Sequence, residues 1–488
     1  MIKKRYAGGL RYPLCVTVIM LLCANLPAQE AAPMRLSPDE AVELALKNNL
    51  SLESSRTSLE TRKRASQYSW NQFIPNVTVA GILSRDNEAS TSSGVTAVAP
   101  TGLINSPIFA GSLPPDLPSG ADVYLSVPYS VDLPQWHIVG SIQTSLNISA
   151  AMFENMRRLR LDYEGGLLTY GKAKAQLERD VRKMYHSMLL LQENIALLRM
   201  SAENVDRQVQ MAQANYNAGL APELTLLQAR VARENLRPTI DQAENGLKLS
   251  MAQFAMYLGL DYDTPFELVP VTENAGFIPL DVTELISRAA NGKPDILELR
   301  HTILMMKSAR QAQVLSLTPS LSLSWNLNSA FIRDPWKDPW FDNGDDWMKS
   351  GSFSVTMGLR LHSLIPFSTD FQGIKNLDDQ IRTANIGLAQ MINGTEIEIY
   401  NTVLALERTR ISAQAQAQTV DLAERSYRLT EEAYRAGLQD YFQVQNSEQS
   451  LRQARVQMLE QQFNYLNGLI DLEYSIGVPF GTLSTRSR

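Results

Sequence analysis

The stretch YNAGLAPELTLLQAR, residues 216–230, is echoed by YRAGLQDYFQVQNSE, residues 434–448. Tyr216, Ala218, Gly219 and Leu220 fall on Tyr434, Ala436, Gly437 and Leu438 at a single offset of 218. In both places a long helical pattern reaches the tyrosine, a glycine follows three residues later, and a second helical pattern departs. Glycine tolerates the positive φ that ends a helix, so each stretch reads as the turn of a helical hairpin pivoting on Gly219 or Gly437.

Outward from the first turn, the helical pattern extends back to about Asn155. Leu198, Ala202, Val205, Val209, Ala212 and Tyr216 alternate steps of four and three, which makes a heptad seam. Some sixty residues of helix reach roughly 90 Å at about 1.5 Å per residue, far beyond a globular helix. The returning helix carries Ile240, Ala243, Leu247, Met251, Phe254 and Leu258, with a kink or local break expected at Pro238. Around the second turn the seams are Val420, Ala423, Tyr427, Thr430, Tyr434 and then Val444, Ser447, Leu451, Ala454, Met458.

Further out the period changes to two. A helical pair opens at LSPDEAVELALKNNL, where Ser37, Pro38 and Glu40 give a capping-box signal; it stops at Pro75. Strands are expected near 76–83 and 138–148, separated by a Ser-, Gly- and Pro-rich loop over 85–137. The order then recurs: helices over 281–318, Pro319 answering Pro75, and strands near 320–328 and 352–362. Leu321, Leu323, Trp325 and Leu327, then Phe353, Val355, Met357, Leu359 and Leu361, alternate with Ser, Thr and Asn, as a membrane barrel requires. Pro319, Glu284 and Ala309 lie 244 residues after Pro75, Glu40 and Ala65. Repeated order with only a loop changing length reads as a duplicated unit, dividing the chain into 29–279 and 280–488, with turns at 217–223 and 435–441.

The first 28 residues, with Lys3, Lys4, Arg5 and Arg11 ahead of an apolar run from Leu14 to Leu22, read as a secretory signal peptide; a short anchor, or lipidation at Cys23, are the other readings. Cys15 and Cys23 are the only cysteines, so the exported chain would have neither disulfides nor thiol chemistry. Its 41 basic and 51 acidic residues leave a balance of −10, which argues against nucleic acid. No later stretch is apolar enough for a helical span, so entry into a membrane would need a closed β-barrel.

Four strands cannot close such a barrel, and open edges in lipid are prohibitive. The remedy is a shared barrel among symmetric copies, two or three by sequence alone. Here the duplicated Tyr-x-x-Gly-Leu turn matters: the chain resembles the TolC-like outer-membrane efflux family from Leu36 to about Pro479. The resemblance implies a mixed α and β membrane protein. It implies a homotrimer with a 12-stranded transmembrane barrel in outer-membrane lipid, continued by a long periplasmic α-helical barrel. It implies a passive outer-membrane channel of a tripartite export system, for small molecules or secretion. The hairpin tips, Tyr216, Gly219, Leu220, Tyr434, Gly437 and Leu438, would meet a periplasmic membrane-fusion adaptor and an inner-membrane pump of RND or ABC type. One departure stands out. Where relatives carry constricting acids nine and twelve residues after the tyrosine, this chain has Thr225 and Gln228, then Gln443 and Asn446. The arginine after Gly-x is replaced by Ala221 and Gln439. Neutral amides bind cations weakly and respond little to pH; Asp440, Glu223 and Glu448 are the nearby acids.

His137, His186, His301 and His362 lack ligand spacing, and no H-E-x-x-H or phosphate loop appears. No catalytic site, cofactor or metal is expected. The loop over 331–350 mixes Asp334, Asp338, Asp342, Asp345 and Asp346 with Trp336, Trp340 and Trp347, either solvated or placed at a cation or headgroups. Two rival classes are a periplasmic coiled-coil adaptor or scaffold without a barrel, and an outer-membrane protein for secretion or adhesion.

Overall fold

The structure is a computed structural model that describes residues 34–88, 91–93, 96–99, 123–126, 130–132, 135–270, 280–331, 333–339 and 346–483. The expected signal peptide lies outside them. In chain order the elements are β1 (Met34–Leu36), α1 (Pro38–Asn48), α2 (Leu50–Gln67), a 3-10 turn (Ser69–Phe73) and β2 (Asn76–Arg85). Then come β3 (Thr91–Ser93), β4 (Thr96–Ala99), β5 (Val123–Ser126), β6 (Ser130–Asp132) and β7 (Trp136–Ile148). The first long hairpin is α3 (Ala150–Asn217) and α4 (Glu223–Tyr257), followed by β8 (Phe266–Leu268), α5 (Val282–Gly292) and α6 (Pro294–Leu315). The chain ends with β9 (Ser320–Phe331), β10 (Trp347–Gly358) and the second hairpin, α7 (Thr369–Arg435) and α8 (Tyr441–Ile476). Two compact units result. One comprises the chain up to Thr61, Glu164–Thr302 and from Ala384 onward; the other comprises Arg62–Tyr163 and Ile303–Thr383.

The second unit holds an antiparallel sheet in the order β10-β9-β7-β2. Its register stacks like on like. Val79, Ile142, Leu327 and Gly351 form one row across the four strands; Val77, Thr144, Trp325 and Phe353 form another. One residue along, the rows are Thr78, Gln143, Asn326, Ser352 and Asn76, Ser145, Ser324, Ser354, so over this stretch the opposite face is neutral and polar; toward the other end it carries Ile82, Val139, Ala330 and Met348. A one-residue slip would exchange these faces. The Ser324 and Ser354 hydroxyls meet at 2.6 Å on the polar side, while Val77, Val79, Phe353, Val355 and Met357 are exposed on the apolar side.

Three sequence expectations change here. The strand expected over 352–362 runs over Trp347–Gly358, and Leu361–Leu364 forms a 3-10 turn instead. Gly358 pairs with Ser320, and the next partner would be Pro319, which has no N–H to extend the ladder. The expected loop over 85–137 contains two short ladders, β3 with β6 and β4 with β5, too brief to show a period. Pro238 does not break α4. It is exposed, so the carbonyl freed by its missing N–H is within reach of solvent.

In the other unit, β1 and β8 form a parallel pair beside a core of Ala41, Ala45, Tyr185, Phe254 and Leu258. The Tyr185 hydroxyl lies 2.7 Å from both the Leu36 and the Val269 carbonyl oxygens, its single proton donated to one or the other. A second core gathers Leu285, Ala289, Leu472 and Ile476. Two glycines at positive φ mark matching close approaches. A Cβ on Gly259 would sit 2.4 Å from the Asn48 carbonyl oxygen, and one on Gly477 2.1 Å from that of Gly292. The pairs are related by the offsets read in the sequence, 244 from Asn48 to Gly292 and 218 from Gly259 to Gly477. Beyond Gly477, the buried Glu473 carboxylate accepts from the Gly481 N–H at 2.9 Å and the Leu483 N–H at 2.7 Å, tying the tail to α8. Among the described residues no helix is long and apolar enough to cross a membrane.

Candidate functional site

The two hairpin turns have the same backbone. Gly219 has φ 73° and Gly437 φ 74°. The Gly219 N–H donates to the Tyr216 carbonyl at 3.0 Å and the Leu220 N–H to Asn215 at 2.8 Å; Gly437 to Tyr434 and Leu438 to Ala433 repeat both distances. This paired bonding is the Schellman closure, which satisfies the last helical carbonyls. It leaves the next side chain outside: Leu220 is 79% exposed and Leu438 78%.

The helices that depart are started differently. Asp440 caps α8, its carboxylate accepting from the Gln443 N–H at 3.0 Å, whereas Pro222 begins α4 through its fixed φ without a side-chain bond. Packing then separates the tips further. Tyr434 is 7% exposed and its ring lies 6.2 Å from that of buried Tyr441, whereas Tyr216 is 41% exposed. Tyr434 and Tyr441 join Tyr427, Val444 and Leu451 against Ala212, Leu226 and Ala229 of the first hairpin. Burial pushes the Tyr441 phenol up to about 12, with Tyr434 and Glu448 adding to the shift. Burial raises Tyr434 too.

Of the candidate entrance residues, Gln228, Gln443 and Asn446 are exposed, Thr225 is half-buried, and Asp440 is engaged as a cap. Of the nearby acids, Glu223 is exposed, while Glu448 turns inward and accepts from the Ser201 hydroxyl at 2.5 Å. The residue 218 earlier, Arg230, is exposed and donates to Gln213 at 2.7 Å. Beside the first turn, Val209, Gln210, Gln213, Ala214, Asn217, Arg230 and Arg233 line an open groove of about 520 Å³. The sequence reading missed Tyr441 and the Ser201–Glu448 bond. Tyr441 carries a signal, an aromatic at the first position of α8, but the serine–glutamate pair spans 247 residues with none.

Elsewhere the polar groups are held structurally. His186 is buried against Asn467 at 3.0 Å, and burial lowers its pKa. Asp346 pairs with Arg333 at 2.7 Å, Trp336 lies edge-on to Trp136 at 5.6 Å, and Trp347 packs on Phe331; Trp340, Asp342 and Asp345 lie outside the described residues. Among the described residues no three His, Cys, Asp or Glu come together to hold a metal ion.

Residues 136–260 match the family model described as outer membrane efflux protein. The chain is 20% identical over 318 residues to the pyoverdine export outer membrane protein OpmQ of Pseudomonas aeruginosa, a match spanning 63% of each chain. In fold it is similar to CusC (TM-score 0.68, 14% identity, 91% of this chain and 92% of that one). It is similar also to VceC from Vibrio cholerae (TM-score 0.67, 14% identity, 91% and 96%). The resemblance to the TolC-like outer-membrane efflux family is therefore borne out, and with it an outer-membrane location with a large periplasmic portion.

Proposed function

We propose, from the premise that this chain is a TolC-like outer-membrane protein, that three copies assemble into a passive export duct served by an adaptor and an inner-membrane pump. The sheet carries the reading. Strands of ten to thirteen residues reach roughly 33–43 Å at about 3.3 Å per residue, enough to cross the apolar band of an outer membrane when tilted. One face is apolar and exposed, the other neutral and polar. Among the described residues nothing pairs with the outer edges of β2 and β10. Two such edges in lipid would leave backbone donors and acceptors bare, at several kcal/mol each. Joining β10 of one copy to β2 of the next removes them; three copies give twelve strands.

The matched cores and glycine contacts at offsets of 244 and 218 support an internal duplication of helix pair, strand pair and hairpin. The exposed Leu220 and Leu438 are the apolar contacts an adaptor would cover, with Tyr216 and the groove beside it available to a second helix. Thr225, Gln228, Gln443 and Asn446 would line an entrance without acidic rings. A lumen of Ser, Thr, Asn and Gln suits small polar cargo of either charge, as pyoverdine export by the OpmQ relative would suggest. Selection then falls to the adaptor and pump. A periplasmic adaptor without a barrel has no use for a lipid-facing sheet.

Detergent-extracted protein should have the mass of three chains and form conducting pores in planar bilayers. A well-folded monomer that inserts into no bilayer would overturn the reading. Loss of the gene should sensitise cells to small toxic molecules rather than trap a secreted polypeptide.

A further inference from the structure

The two strand-to-helix junctions of the membrane unit are unequal. Between β7 and α3 lies Ser149 alone, whereas β10 and α7 are separated by residues 359–368, LRLHSLIPFS. This linker is firmly folded. The Ser363 N–H donates to the Arg360 carbonyl, the Ile365 N–H to His362 and the Ser368 N–H to Ile365. The Ser368 hydroxyl donates to the Ser363 carbonyl at 3.0 Å and accepts from the Phe371 N–H at 3.2 Å.

Its polarity is inside out. Ser363 is 1% exposed, while Leu361, Leu364 and Ile365 are exposed and Phe367 is 87% exposed. A soluble surface places these types the other way round, and a contiguous apolar patch on an ordered segment marks a contact surface. Two observations identify what covers it. The linker continues directly from Val355 and Met357, so it extends the apolar edge of the sheet. Its only charged or titratable side chains, Arg360 and His362, are exposed, and no acid occurs before Asp370. Apolar residues interleaved with basic ones that extend to phosphates describe a segment lying in a lipid interface.

We propose that residues 359–367 form a ledge seated among phospholipid headgroups at the end of the sheet where α7 begins, with Phe367 and Leu361 in the upper acyl region and Arg360 at the phosphates. The proposal rests on the barrel reading and extends it by an anchor outside the strands. Around a ring, the ledge would recur three times at the level where Trp70 and Ile74, also exposed, precede β2.

The test uses the exported chain, since both native cysteines, Cys15 and Cys23, lie within the expected signal peptide. Single variants Phe367→Cys, Leu361→Cys, Val79→Cys and Leu220→Cys are labelled with a small fluorophore and reconstituted into phosphatidylethanolamine/phosphatidylglycerol bilayers. Quenching by phospholipid carrying a nitroxide near the headgroup is compared with quenching by aqueous iodide. The expected result is lipid quenching at 367 and 361 at least twice that at Leu220→Cys, with iodide quenching reduced at least twofold. Iodide quenching at 367 and 361 equal to that at Leu220→Cys would overturn the ledge, and so would shielding from both quenchers, the mark of coverage by a second copy. Val79→Cys separates the two failures. If it is quenched by lipid, only the ledge has failed; if it too is quenched by iodide, the barrel reading fails with it.

Discussion

The two hairpin tips share their turns and differ in almost everything that surrounds them. Gly219 and Gly437 close their helices through the same two hydrogen bonds and the same positive φ. Yet Tyr434 and Tyr441 are packed into a core between hairpins, whereas Tyr216 and Glu223 face outward. Glu448 reaches inward to Ser201, whereas Arg230, at the same place in the first hairpin, stays on the surface. The turn is a local property of Tyr-x-x-Gly-Leu. Whether its tyrosine is a core residue or a surface one is decided by what the departing helix brings next, Tyr441 in one hairpin and Glu223 in the other.

The contrast can be broken in several ways. The largest effect should come from what the tips still share: Leu220→Asp with Leu438→Asp should abolish capture of a cognate adaptor hairpin in a pull-down while the melting temperature stays unchanged, since both leucines are exposed. Next is Tyr441→Ala, which empties a buried aromatic site and should cost about 3–5 kcal/mol. Its counterpart Glu223→Ala should stay within about 0.5 kcal/mol. Denaturant melts would read both, and equal losses at the two sites would erase the distinction.

A smaller, symmetrical effect is expected from Gly219→Ala and Gly437→Ala. Neither Cβ meets a neighbour, so each should cost only the left-handed strain of about 1–2 kcal/mol. Unequal costs would show that the turns are not equivalent. Smallest is Tyr441→Phe, which removes a buried hydroxyl with no hydrogen-bond partner and should stabilise by about 1 kcal/mol. It should also alter the alkaline limb. With its pKa pushed from 10.0 to about 12, Tyr441 binds its proton more tightly when folded, so its contribution is complete below pH 10 and lost as pH rises toward 12. A phenolate absorbance titration should lose one late-titrating group in the variant; loss of a group titrating near 10.0 instead would place Tyr441 in water.

Much of this was legible because periodicity and turn chemistry are local. Alternation in Leu321–Leu327 announces a two-faced strand, and a glycine three after a tyrosine announces the reversal. What was hidden depends on partners. The end of β10 at Gly358 is set by Pro319 on the neighbouring strand, beyond any pattern in LRLHSL itself. The inward turn of Glu448 requires Ser201, 247 residues away. Pro238 looked like a break because proline removes a donor, but solvent exposure makes that loss inexpensive. Among the site residues, Asp440, a candidate for the entrance, is also the N-cap of α8, its carboxylate accepting from the Gln443 N–H.

The tail clasp on Glu473 makes the end of α8 depend on residues beyond it. Two backbone N–H groups that arrive eight and ten residues later are the partners of this carboxylate, and its pKa is raised by burial despite them. Without Gly481 and Leu483, the final turns of α8 would bury this carboxylate with neither backbone donor to receive its charge. The last turns of α8 are thus sealed from outside the helix, and a variant truncated after Phe480 would carry a carboxyl without its two backbone donors into its own core.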